Sequence, residues 1–305
     1  MIRAAALILC GVLAACASAP PDDFDYDSCG VRPRAQIPLE SVGNVPVMAV
    51  RVRGQEARFI LDTGADSIVI TEVARQRLGV EADVKRIMGG RGVGGETRSF
   101  AGKLTGMQLA GLAIPDHLVR VLPTSSGVGS HIPVDGLFGT SVLSAFEIDL
   151  DLPRHRVTLY AGHICPSTVA PAWTAEATVI EASRSRNGRF VIPVWLDGLE
   201  LTALLDTGAG ASVIAADVAA GLGATPAALE GARRAEIVGT GPGTSTAHVW
   251  RFRDIRVGAE LLAGPRLLVA ERPEPGVDMI LGTDFLGARH LWLSWARKLV
   301  FVANR

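Results

Sequence analysis

Phe59-Ile60-Leu61-Asp62-Thr63-Gly64-Ala65-Asp66-Ser67-Ile68-Val69-Ile70 is answered, 144 positions on, by Ala203-Leu204-Leu205-Asp206-Thr207-Gly208-Ala209-Gly210-Ala211-Ser212-Val213-Ile214. In each stretch an apolar run climbs to Asp-Thr-Gly and a second apolar run leaves it. One Asp-Thr-Gly alone reads as readily as a turn, since all three residues are common there. Two matched copies, each with an aspartate at the end of a run that should be buried, need something to compensate the cost of burying a charge.

The repeat extends outward in both directions. At the same offset Val47 meets Val191, Gly54 meets Gly198, Glu56 meets Glu200, and Leu78-Gly79 meets Leu222-Gly223. Further on, Leu137-Phe138-Gly139-Thr140 meets Ile280-Leu281-Gly282-Thr283 at an offset of 143, so one net deletion separates the copies. Solenoid units run roughly 20 to 50 residues; this period instead marks two domain-sized lobes. Within each copy the pattern predicts strand, turn and strand ahead of the aspartate, with Arg53-Gly54-Gln55 and Asp197-Gly198 at the turns. A short helix is predicted after it, over 71–79 and 215–223. Gly-rich segments at 88–97 and 238–244 predict hairpin tips over a cleft, with Gly92, Val93, Gly94, Gly239, Thr240 and Gly241 facing a substrate. Neither segment carries the Lys-Ser/Thr of a phosphate loop. Strands dominate, so the expected class is all-β, with an N-terminal lobe over 37–162, a connection over 163–181 and a C-terminal lobe over 182–305.

The 305 residues suffice for two small cores. With 30 basic against 31 acidic residues and no basic run, nucleic acid is not an expected partner. The six histidines are scattered and no Gly-x-Ser-x-Gly is present, so neither a metal site, a cofactor nor a serine nucleophile is expected. Residues 1–15 carry Arg3 and then an apolar stretch too short to span a bilayer, which reads as an export signal. Leu13-Ala14-Ala15-Cys16 resembles a lipobox. It predicts a lipid on Cys16, a tether over 16–36 and a membrane-anchored periplasmic protein, with Ala17 favouring the outer membrane; ordinary cleavage after 17–19 would place Pro20 just past the cut. Cys10 leaves with the signal, and Cys29 and Cys165 remain at the ends of the first lobe. They are either bridged, which is the expectation in an oxidising compartment, or two free thiols.

Two carboxylates brought together cannot both ionise easily, and they share one proton. Here the chain resembles the retroviral, or retropepsin-like, aspartic proteases, on Leu-Asp-Thr-Gly-Ala at 61–65 and 205–209 and on the apolar-apolar-Gly elements at 137–139 and 280–282. Bacterial periplasmic processing proteases of the PerP type are similar. The resemblance implies two β-barrel lobes fused in one chain, in place of two identical chains, and a monomer containing a pseudo-dimer. It implies that Asp62 and Asp206 activate water against a peptide bond. Thr63 and Thr207 would lock the two loops, Gly64 and Gly208 would admit backbone close to the carboxylates, and extended peptide segments would be the substrates. Ala65 and Ala209 stand where pepsin-like enzymes have a hydroxyl; losing that donor predicts a less acidic pH optimum than pepsin's. The rival reading is a lipoprotein that binds peptides in the same cleft without cutting them.

Overall fold

The computed structural model describes residues 33–128, 133–161, 172–272 and 274–304. The signal segment, Cys16, Cys29, Cys165, most of the tether and the first part of the interlobe connection lie outside the described residues.

Both lobes are built from strands by the same steps. Val45–Val52 turns into Gln55–Leu61, and Phe190–Leu196 into Leu199–Leu205. The turn residues Arg53 and Gly54 have φ of 51° and 81°, and Asp197 and Gly198 have 50° and 86°. Two consecutive positive φ values are what a two-residue hairpin needs to match strand twist, and Gly supplies the second at no steric cost. After each aspartate a three-residue strand, Val69–Thr71 or Val213–Ala215, leads into a short helix, Glu72–Arg77 or Ala216–Gly221. Thr71 caps the first helix by accepting from the Ala74 N–H at 3.1 Å.

The downstream apolar-apolar-Gly elements then pass between these strands. Gly136–Phe138 runs parallel to Gln55–Leu61, with Leu137 opposite Ile60, and antiparallel to Val69–Thr71. Met279–Leu281 repeats this, with Ile280 between Leu204 and Val213. Each aspartate therefore emerges from a strand held on both sides by its own lobe. The cores are apolar, with Phe59, Leu61, Phe138, Ala203, Leu205 and Leu281 all buried.

Six strands tie the lobes together, in the order Thr178–Glu181, Leu299–Asn304, Arg289–Ser294, Phe146–Asp151, Arg156–Ala161 and Pro33–Val42. At its centre Asp149 lies opposite Trp292, and these two are also partners at the 143-residue offset. The pseudo-twofold axis of the duplication thus passes through this pair. Two expected boundaries shift. The first strand starts at Pro33, inside the stretch read as tether, because it pairs with Arg156–Tyr160. Thr178–Glu181, inside the expected connection, is a strand because it pairs with Leu299–Val302.

Candidate active site

The two Asp-Thr-Gly loops meet across the interlobe axis through side chains that sequence alone makes equivalent. Thr63 Oγ1 donates to the Leu205 carbonyl at 2.8 Å, and Thr207 Oγ1 donates to the Leu61 carbonyl at 2.5 Å. Each hydroxyl also accepts the other threonine's N–H at 3.1 Å. Both threonines are buried, so all four hydrogen bonds are shielded from water, where a broken one is costly. Behind each loop the aspartate N–H donates to a carbonyl of the downstream element, Asp62 to Phe138 and Asp206 to Leu281, both at 3.1 Å.

Within each loop the carboxylate turns back onto its own backbone. Asp62 Oδ1 accepts from Gly64 and Ala65 N–H, both at 2.8 Å. Asp206 Oδ1 accepts from Gly208 at 2.8 Å and Ala209 at 3.1 Å. This fixes one oxygen of each acid on its own loop. The glycines are needed for a spatial reason. A Cβ on Gly64 would overlap the Asp206 carboxylate, and one on Gly208 would fall 2.5 Å from Asp62 Cγ. Each lobe's glycine packs against the other lobe's acid.

The carboxyl groups form a coupled pair. Burial lifts Asp62 well above the usual carboxylate range, and the neighbouring Asp206 charge lifts it further, against the pull of the Gly64 and Ala65 amides. Asp206 is also raised by burial, but Gly208 and Ala209 N–H, a hydrogen bond from Asp62 and the charge of Arg189 all favour its ionised form. The pair therefore shares one proton, and the Arg189 charge beside Asp206 favours the ionised form on that side.

Around the pair lies a cavity of about 520 Å³, lined from both lobes and roofed by the Gly-rich hairpins. The first hairpin joins Glu81–Gly92 to Gly95–Leu104, and the second joins Arg234–Val238 to Thr244–Arg251. Gly92, Val93, Gly239 and Thr240 line the cavity. Gly94 and Gly241 lie behind it, where the tips join: Gly241 N–H donates to Val93 O at 3.0 Å and Gly243 N–H to Gly94 O at 3.2 Å. Ser126 Oγ in turn donates to Thr240 O at 3.1 Å.

A family model described as aspartyl protease matches residues 48–142 and again 192–285, together more than half of the chain. The chain belongs to the aspartyl protease family. Among curated proteins none matches it. The two matched stretches each contain one Asp-Thr-Gly loop and the strand that crosses behind it, so the family pattern is present twice in one chain.

Three features of this family member do not stand out in the sequence. Asp135 and Asp278, partners at the 143-residue offset, brace the crossing strands: Asp135 Oδ2 accepts from Arg58 N–H at 2.8 Å, and Asp278 Oδ2 from Thr202 N–H at 2.9 Å. Their matched positions were a usable signal. Thr140 and Thr283 each donate a hydroxyl to the carbonyl after the loop glycine, Ala65 at 3.2 Å and Ala209 at 3.1 Å. Arg189 left no such trace, because Val45 is its counterpart. It reaches across the interlobe boundary to the Gly64 carbonyl at 3.1 Å.

Proposed function

We infer that the protein is an aspartic endopeptidase whose reaction runs on the Asp62 and Asp206 pair. The observation that carries this reading is the meeting of two carboxyls, one from each lobe, Asp62 buried and Asp206 half-buried, inside a roofed cleft. Ionised Asp206 takes a proton from a water held between the acids as that water attacks the scissile carbonyl. Protonated Asp62 hydrogen-bonds the carbonyl oxygen where charge develops. Collapse of the tetrahedral species needs a proton on the leaving nitrogen, which the pair returns. No acyl-enzyme forms. Strand edges in the hairpins give an extended peptide backbone hydrogen-bonding partners, in the manner of strand addition.

The leader and Cys16 support placing this activity in the periplasm on a lipid anchor, the outer membrane favoured, with segments of neighbouring proteins as substrates. Labelling with a radioactive fatty acid that is lost in Cys16→Ser tests the anchor. The reaction is tested by incubating the full chain with a random peptide library beside Asp62→Asn and Asp206→Asn. Cleavage falling by at least a thousandfold in both variants is expected. Equal cutting by all three would assign the activity to a contaminant, and silence throughout would leave a peptide-binding cleft without catalysis. Because burial raises both acids, the pH profile of kcat/KM should be a bell displaced to less acidic pH than that of a pair at ordinary carboxylate values.

A further inference from the structure

The two halves of the cleft descend from one duplicated unit, so lining residues have counterparts across the axis, and three neighbouring pairs of counterparts beside the dyad differ in kind, as do Arg120 and Leu268 under the hairpins. Asp66 answers to Gly210, Asn187 to Gly43 and Arg189 to Val45. All six line the cavity. On one side they form a connected polar group: Asn187 Nδ2 donates to Asp66 Oδ2 at 3.1 Å, and Arg189, only 9% exposed, donates from Nη2 to Glu274 Oε1 at 2.5 Å. On the other side Gly210 lies beside the Gly43 carbonyl and Val45; a Cβ there would be 3.1 Å and 4.0 Å from them. No side chain at Gly43, Val45 or Gly210 can carry charge or donate a hydrogen bond.

Outside the dyad the cavity lining carries Asp66 and Glu274 against Arg189 and Arg120, so the formal charges cancel in sum and the asymmetry is local. Arg189 is paired with Glu274, and Arg120 donates to the Gly89 carbonyl at 2.8 Å beside the first hairpin, while the Asp66 carboxylate accepts only from the neutral donors Ser67 and Asn187. In a cavity walled by protein such a carboxylate acts on an entering charge more strongly than it would in bulk solvent. A cationic side chain entering that half gains a partner, while an acidic one meets repulsion. Across the axis Gly43, Val45 and Gly210 offer a charged side chain no counter-charge to offset its lost hydration.

We propose that the cleft selects its peptides unsymmetrically, taking a Lys or Arg side chain in the half built from Asp66, Arg189 and Glu274 and an apolar side chain in the half built from Gly43, Val45 and Gly210. The proposal rests on the protease reading and adds the substrate class. Digestion of a peptide library by the full chain, with products read by mass spectrometry, should show Lys and Arg enriched at least fivefold at one position flanking the cut and apolar residues at its mirror. In a matched pair of peptides differing by Lys against norleucine at that position, the ratio of kcat/KM should collapse towards one in Glu274→Gln and in Asp66→Asn. Equal preferences on the two sides, or a basic preference that neither substitution moves, overturns the proposal. Fluorescence anisotropy with the same two peptides on Asp62→Asn separates selection from cutting. Binding at least fivefold tighter for the Lys peptide upholds the proposal even if no peptide is ever cleaved, and equal or weaker binding ends it even if the protein proves to be a protease.

Discussion

At the residue scale the site is set by small groups whose substitution should have large and opposite effects. Burial raises both acids above the unfolded value of about 3.9. Between that value and the raised native one, the folded protein holds more protons than the unfolded chain, so stability falls as pH rises through the window. Asp62→Asn removes the group that is raised most. It should therefore melt several degrees above the wild type at pH 7, with the gain shrinking as pH drops below about 4; thermal melts at the two pH values check this, and a variant that melts lower at pH 7 contradicts it. Gly208→Ala should act on geometry instead. Its backbone has no positive φ to strain, but the new methyl would stand 2.5 Å from Asp62 Cγ and force the carboxyl aside. Since a displacement of about 1 Å can cost roughly a hundredfold in rate, kcat measured on a fluorogenic peptide should fall by about that factor or more. The aspartates, threonines and glycines were legible because each occurs twice with the same neighbours. Arg189 was not, because comparing the copies reveals what they share and hides what only one of them has.

Among elements, the hairpins that lead into the aspartates follow from two-residue periodicity and Gly at the turn, information that lies within about a dozen residues. The end strands could not be placed that way. The start of Pro33–Val42 has the composition of a tether and is a strand because Arg156–Tyr160, more than a hundred residues later, pairs with Pro33–Pro38, while Leu39–Val42 pairs locally with Val45–Met48. The roof hairpins were legible as Gly-rich tips, but their mutual contact was not, since it depends on how the two lobes sit together. That contact must part for a peptide to enter. An ideal Cβ at Gly92 would be 3.4 Å from Thr240 Cβ, close to the roughly 3.5–4.5 Å of a disulfide. A Gly92→Cys, Thr240→Cys protein should therefore oxidise across the roof, lose most of its turnover of folded or peptide substrates, and recover it on addition of dithiothreitol. Full turnover while oxidised would show that substrates enter without the hairpins separating.

For the whole molecule, duplication explains the twofold plan, and the sheet between the lobes shows where the copies have diverged in order to fit each other. Glu147, Asp149 and Asp151 occupy one central strand at every second position and look in sequence like a solvated face; all three are buried. Asp151 is paired within its own lobe with Arg154 and Arg156, but the partners of the other two come from the other lobe. Glu147 accepts from Trp292 Nε1 at 3.0 Å and Ser294 Oγ at 2.9 Å, Asp149 is hydrogen-bonded to His290, and Trp173 stacks on His290 with ring centres 3.7 Å apart. Two copies of the first lobe joined the same way would set Asp149 against Asp149 and Glu147 against Asp151, and the His290, Trp292 and Ser294 donors would be gone. The lobes are thus complementary and not interchangeable. Hydrogen bonds cross the boundary both in this sheet and at Thr63 and Thr207, so the lobes should unfold together in one calorimetric transition. Asp149→Ala removes the partner of a buried imidazole, which costs about 1–3 kcal/mol, in a sheet that contributes no residue to the cavity lining. It should lower the melting temperature of both lobes at once and reduce peptide cleavage, although nothing at the carboxyl pair has changed. Two separate transitions in the wild type, or full activity in a destabilised Asp149→Ala, would mean that the sheet only links the lobes and does not hold the dyad in register.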